Sequence, residues 1–186
     1  MRRLLLLCAA ATLVACGART FESRATTPPP EDGADDVSAA GGGTWSECYA
    51  GFAPTGNARS DLGRLTRACG PTGGMRAITA VTEATQQESD PVDRYTFFVP
   101  KAGACYRVYA VGERTVSDLD LLVRGPTGED VAADLTNDPF PVLPPRGPLC
   151  FEVPGVYMLE VSVFRGQGKY AIQVWGNTDG LGQTTP

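Results

Sequence analysis

VYMLEVSVFRGQGKYAIQVW, residues 156–175, is the stretch whose reading decides the fold. Tyr157, Leu159, Val161 and Val163 alternate with Met158, Glu160 and Ser162, and Tyr170, Ile172 and Val174 alternate with Ala171, Gln173 and Trp175. A period of two puts successive side chains on opposite faces, the mark of a strand with one buried face. The two runs predict strands at 156–164 and 169–175, and Gly166-Gln167-Gly168 between them reads as a hairpin turn.

Working outward, the same period recurs near 77–84, 93–99, 105–111, 118–124, 130–135 and 149–153. Pro100–Gly103, Gly125–Gly128, Pro144–Gly147 and Pro154-Gly155 punctuate these runs. Many short strands between such breaks predict an antiparallel β-sandwich over 76–176, followed by a tail at 177–186. Tyr106, Val108 and Ala110 read as inward, as do Leu149, Phe151 and Val153. Cys105, Arg107, Cys150 and Glu152 then face away from the core.

Residues 44–75 have a different period. Thr44 and Glu47 fit a capping box, and Trp45, Cys48, Tyr49 and Phe52 follow helical spacing. Pro54-Thr55-Gly56 breaks the element, Asn57 can cap a second helix, and Leu62, Leu65 and Cys69 share one of its faces. Gly70-Pro71 stops it. The segment reads as a small helical hairpin.

At the start, Arg2 and Arg3 precede an apolar run that ends at Leu13-Val14-Ala15-Cys16. The run is shorter than the about 20 residues a bilayer span needs. Leu13-Val14-Ala15-Cys16 resembles the lipobox of bacterial lipoproteins. That resemblance implies a signal peptide at 1–15, removal before Cys16, and a lipid on the Cys16 thiol. With Gly17 rather than Asp next, it further implies the outer membrane of a Gram-negative envelope. Residues 16–43 then read as the lipidated cysteine and a tether. Pro, Gly, Ala, Ser and Asp dominate, and only Phe21 and Val37 could enter a core.

Of six cysteines, Cys8 falls in the signal and Cys16 is taken by lipid. Cys48, Cys69, Cys105 and Cys150 remain, an even number that outside the cytosol implies disulfides. Three connectivities exist. Helical placement favours Cys48–Cys69, which leaves Cys105–Cys150 on the outside of one sheet. With no CxxC pair and no histidine anywhere in the chain, zinc is disfavoured.

Loss of residues 1–15 would leave 14 basic against 21 acidic residues, with no basic cluster. Such a surface disfavours nucleic acid, so the lipid is the expected membrane attachment. The lack of histidine excludes Ser-His-Asp and Cys-His catalysis, and no HExxH, GxSxG or SxxK motif occurs.

Residues from about 90 to 176 resemble the bacterial pre-peptidase C-terminal (PPC) domain family. The resemblance is carried by Asp93-Arg94-Tyr95-Thr96-Phe97, Asp118-Leu119-Asp120-Leu121, Gly125-Pro126-Thr127-Gly128, Gly155-Val156-Tyr157 with Val161, and Tyr170 with Val174. It implies a jelly-roll-like sandwich of a kind that accompanies secreted enzymes and serves binding, folding or sorting rather than catalysis. The chain departs from the family in its extra cysteine pair and in having no protease domain before the module.

Asp118 and Asp120 are two apart and share a strand face, with Glu129, Asp130, Asp134 and Asp138 following. Some modules of this kind bind calcium, which takes six to eight oxygen ligands, so Asp118 and Asp120 are candidate calcium ligands. The competing and favoured reading makes them the solvent face of a strand whose Leu119 and Leu121 are core.

The overall expectation is a non-enzymatic, lipid-anchored envelope protein, mainly β, presenting a binding or assembly module to an envelope protein or polysaccharide. The alternative is a carbohydrate-binding module with Tyr109, Phe164 and Trp175 as its aromatic platform. A hydrolase built on the acidic cluster comes third.

Overall fold

The structure is a computed structural model and describes residues 42–134 and 136–179. The expected signal peptide, Cys16, the tether up to residue 41 and the end of the tail from residue 180 lie outside the described residues.

In chain order the elements are α1 (Gly42–Glu47), α2 (Ala58–Cys69), β1 (Arg76–Ala77), β2 (Thr82–Gln87), β3 (Asp93–Val99), β4 (Cys105–Gly112), β5 (Val116–Arg124), β6 (Asp130–Asp134), β7 (Val142–Leu143), β8 (Leu149–Cys150) and β9 (Gly155–Asn177). Every strand pairing is antiparallel.

The expected hairpin at 166–168 is not there. β9 is one strand of 23 residues that runs through both sheets. Its first half pairs with β3, from Val99↔Gly155 to Asp93↔Val161, and with β5, from Arg124↔Met158 to Val116↔Gly166. Its second half pairs with β2, β4 and β1. β7 and β8 complete the first sheet beside β4, and β6 completes the second beside β5.

Gly166 and Gly168 let the strand bend at the corner, with φ of 100° and 148°. A Cβ at 166 would run into the Thr115 carbonyl oxygen, and one at 168 into Glu113 and Thr115. These are the glycine requirements of a tight turn, met here by a sheet corner instead.

A bent strand leaves main-chain groups between its partners. On the flank between β3 and β2, the buried side chain of Gln86 takes the place of a neighbouring strand. Its Oε1 accepts from Val163 N at 2.7 Å, and its Nε2 donates to Pro91 O at 2.8 Å and Val161 O at 3.4 Å. Glu88 Oε1 accepts from Gly166 N at 2.6 Å.

Between the sheets lies the core predicted by the alternation: Tyr157, Leu159, Val161, Val163, Tyr170, Ile172 and Val174 from β9, with Tyr106, Val108 and Ala110 from β4. Phe97, Tyr106, Phe151 and Tyr157 form an aromatic cluster at one end, Phe151 and Tyr157 being 4.2 Å apart between centroids. Val153 was expected inward but is 58% exposed, because Pro154 and Gly155 end the alternation before β9 begins.

A second core covers the outer face of the first sheet. Leu62, Leu65 and Cys69 of α2 pack on Tyr109, Val111, Val142 and Ala171. Burying one such aliphatic side chain contributes about 1.5–3 kcal/mol. α2 starts as expected: Asn57 accepts from Ser60 N at 2.9 Å. The buried carboxylate of Asp61 organises the preceding loop, accepting from the N–H groups of Thr55, Gly56 and Asn57 at 2.7, 2.9 and 3.1 Å. Burial alone would raise its pKa, but these bonds, with those from Thr55 Oγ1 and Arg64, hold it below the usual carboxylate range.

The phase of β4 turns Arg107 away from the core. It does leave that core, but into the second cover rather than into solvent, and it is 0% exposed. Its guanidinium donates to the carbonyl oxygens of Pro144 (3.1 Å), Trp45 (2.8 Å) and Pro145 (3.0 Å), and lies 5.4–5.6 Å from the ring centroids of Trp45, Tyr49 and Tyr109. A charged group buried without an acidic partner is tolerated when carbonyl dipoles and π faces replace its water. Arg107 thereby ties α1 and the 144–145 loop to β4. Two disulfides add covalent ties, Cys48–Cys69 within the helical unit and Cys105–Cys150 between paired residues of β4 and β8.

Other boundaries differ from expectation. α1 begins at Gly42, so Thr44 is inside the helix rather than its cap, and it ends at Glu47, short of Cys48, Tyr49 and Phe52. The run at 77–84 divides into β1 and β2, the strand at 149–153 shrinks to two residues, and β7 is additional. β9 reaches Asn177, one residue into the expected tail.

Gln86→Ala removes the groups that satisfy the corner of β9 and should cost about 2–3 kcal/mol in urea denaturation. Gln87→Ala, at an exposed neighbour, should stay within about 0.5 kcal/mol of wild type. Equal effects would contradict the role given to Gln86.

Candidate functional site

The helical unit covers the outer face of the first sheet. The outer face of the second sheet, formed by β6, β5, the first half of β9, and β3, carries exposed apolar residues. Phe98 and Val156 are direct cross-strand partners, 60% and 56% exposed. Val153, in the β8–β9 connection, is also exposed. Cross-strand neighbours on one face touch, so Phe98 and Val156 make one apolar spot rather than two isolated side chains.

Beside it runs a line of charge. Glu160 accepts from Arg94 Nε at 2.9 Å and from Arg124 Nε at 3.0 Å, and Arg124 also pairs with Asp130. Burial would raise the pKa of Glu160, but the two arginines keep it below its usual range. The network fixes β3, β9 and β5 side by side on this face and holds its arginines in place.

Phe98 and Val156 were not singled out in the sequence. The signal was present: Phe98 is out of phase with Tyr95, Phe97 and Val99, and Val156 with Tyr157 and Leu159, so parity already turned both outward.

The predicted aromatic platform is not assembled. Tyr109 is fully buried under α2, and Trp175 is half-buried against Trp45, Met75 and Cys105, with Gly70 close against its ring. Phe164 is 61% exposed. The physical reason is the second cover, which turns the outer face of the first sheet into an interior.

The acidic run divides: Glu129 and Asp130 are held locally, while Asp118, Asp120 and Asp134 stay near one another. Glu129 accepts from Thr127 N and Oγ1 within its turn, and Asp130 is held by Arg124. Asp118 is 1% exposed and its Oδ1 has no hydrogen-bond partner. Asp120 is half-buried, and Asp134 is buried where β6 ends. Solvation is therefore not what Asp118 gains on its strand. Among the described residues no three carboxylates, thiolates or imidazoles converge closely enough to hold a metal ion. The residues present do not fit the calcium site that Asp118 and Asp120 suggested. Burial, then the nearby Asp118 and Asp134, push the Asp120 carboxyl up to about 6. Burial and Asp138 raise that of Asp134.

No protein-family description matches the sequence, and no curated protein matches it. Among solved structures the chain is similar to the pre-peptidase C-terminal domain of a collagenase from Bacillus anthracis, with a TM-score of 0.41 and 19% identity over 51% of this chain and 87% of that one. The fold itself, a nearly closed antiparallel sandwich with few helices, stands on the strand registers above.

The Asp120 shift has a sign that can be tested. Its folded pKa lies above the unfolded value, so the folded state takes up a proton. That contribution is full below pH about 3.8 and is lost as pH rises through about 6. Wild-type protein should therefore melt about 2–5 °C higher at pH 5 than at pH 7.5, and Asp120→Asn should flatten that difference and raise Tm at pH 7.5. A Tm that rises from pH 5 to 7.5 in wild type would contradict this.

Proposed function

We propose that this chain is a non-catalytic, lipid-anchored protein of the bacterial cell envelope that presents the outer face of its second sheet to an envelope partner. The observation that carries the reading is the asymmetry of the two faces. One is sealed by a disulfide-tied helical unit under which Arg107 of β4 is buried, and the other, among the described residues, leaves Phe98 and Val156 in solvent. An exposed apolar spot bordered by fixed charges is the usual make-up of an interaction surface.

The anchor reading rests on Leu13-Val14-Ala15-Cys16 and on a tether poor in core-forming residues. Among the described residues no helix is long and apolar enough to cross a membrane. The non-catalytic reading rests on the lack of histidine in the chain and of any recognised nucleophile motif.

Two measurements in intact cells test the reading. Labelled palmitate should enter wild-type protein and be absent from Cys16→Ser. A photo-reactive benzoyl-phenylalanine in place of Val156 should give a discrete cross-linked species on irradiation, while the same group in place of Glu83, beside α2, should give none. Cross-links from Glu83 alone, or palmitate retained in Cys16→Ser, would contradict the corresponding half of the proposal.

A further inference from the structure

The uncovered sheet ends in β3. Among the described residues β3 pairs with β9 alone, in an uninterrupted register from Asp93↔Val161 to Val99↔Gly155. A strand paired on one side presents a row of N–H and C=O groups that can template another strand. Proteins usually blunt such an edge with proline, lysine, a bulge or a covering loop. Between Tyr95 and Val99 there is no proline or charged residue, and the register shows no shift. One acceptor is already used: Tyr106 Oη donates to Phe98 O at 2.9 Å. That leaves the stretch from Arg94 to Phe97.

A cavity opens beside that stretch. The two sheets share β9 but separate along the flank where β3 belongs to one and Thr82, at the start of β2, to the other. The seam holds about 120 Å³, lined by Tyr95, Thr96 and Phe97 on one side and Thr79 and Thr82 on the other, with Leu159, Ile172 and Val174 as its floor. This is room for a branched aliphatic side chain, and the lining carries no ionisable group but the Tyr95 hydroxyl, which is hydrogen-bonded to Tyr170 at 2.7 Å.

We propose that the free edge of β3 is a strand-addition site for an extended peptide segment of a partner protein, whose aliphatic side chain fills the seam cavity. The proposal rests on the binding reading above and names the partner's chemistry. Main-chain bonds to an edge supply affinity, and a pocket for alternate side chains supplies selectivity. Because side chains alternate along a strand, the neighbours of the inserted residue lie on the outer face, where Phe98 and Val156 offer an apolar contact. The side chains of Arg94 and Lys101 flank the edge, paired with Glu160 and Asp179 yet 60% and 52% exposed, so acidic residues at the ends of the segment can share their remaining donors.

The test uses the full chain carrying Cys16→Ser, labelled with nitrogen-15, and the capped peptide DTVLVTD. At about 1 mM peptide, the amide resonances of Arg94–Phe97, Thr79 and Thr82 should shift saturably. Replacing the central leucine by aspartate, or N-methylating alternate peptide amides, should weaken binding about tenfold or more. Thr82→Phe, which fills the cavity from its half-buried rim, should do the same while leaving the rest of the spectrum in place. The proposal is overturned if β3 amides do not shift, if the N-methylated peptide shifts them equally, or if they shift with protein concentration alone while sedimentation shows a dimer. In that last case a second copy owns the edge. A cellular cross-link from position 156 that persists in Thr82→Phe would retain the docking face and discard strand addition. Peptide binding without any cellular cross-link would do the reverse.

Discussion

Everything in this molecule hangs on β9 passing through the sheet corner without turning back. One strand supplies a central member of both sheets, so the two sheets cannot slide or separate independently. The same strand sets the parity of the core, because Tyr157 to Val163 and Tyr170 to Val174 all face one interior. The corner is made by two glycines and by the amide of Gln86, which satisfies main-chain groups that no strand reaches. Gln86 and Val163 are buried, and a buried main-chain group left unpaired costs more than a single contact there contributes.

From that arrangement follows the inequality of the faces. β4 is buried on both sides, under α2 and over the sandwich core. Arg107 is the local price of covering it: a charge kept in the interior by three carbonyl oxygens and three aromatic rings. Among the described residues the second sheet has no such cover, and its edge strand β3 is open where the sheets part. The proposed docking face is what the fold leaves uncovered among the described residues.

Much of the fold was legible in the sequence because strand parity is a local property. The inward residues of β4 and β9 could be named from alternation alone, and β3 from Asp93 to Val99 was found with its bounds. The corner was not legible. Gly-Gln-Gly meets the backbone needs of a hairpin and of a bent strand equally, and only the partners of residues 166–168 distinguish them. Those partners lie on β5 and β2, far away in the chain. The fate of Arg107 and Tyr109 was hidden for the same reason: alternation says which face a residue takes, and not whether another element covers that face. Asp118 and Asp120 illustrate the converse. Their spacing does keep Asp118 and Asp120 near each other, yet Asp118 is buried with its Oδ1 unpaired, and Glu129 and Asp130 are held in a turn and an ion pair. The exposed pair Phe98 and Val156 followed from parity and could have been named.

The most direct test is a nuclear Overhauser map of the backbone around residues 162–170. A continuous β9 predicts close contacts of Gly166 with Val116 on one flank and of Gln167 and Lys169 with Gln87 and Thr85 on the other. A hairpin would instead pair residues 163–165 with 169–171 across the turn, and that pattern would contradict the account at its root.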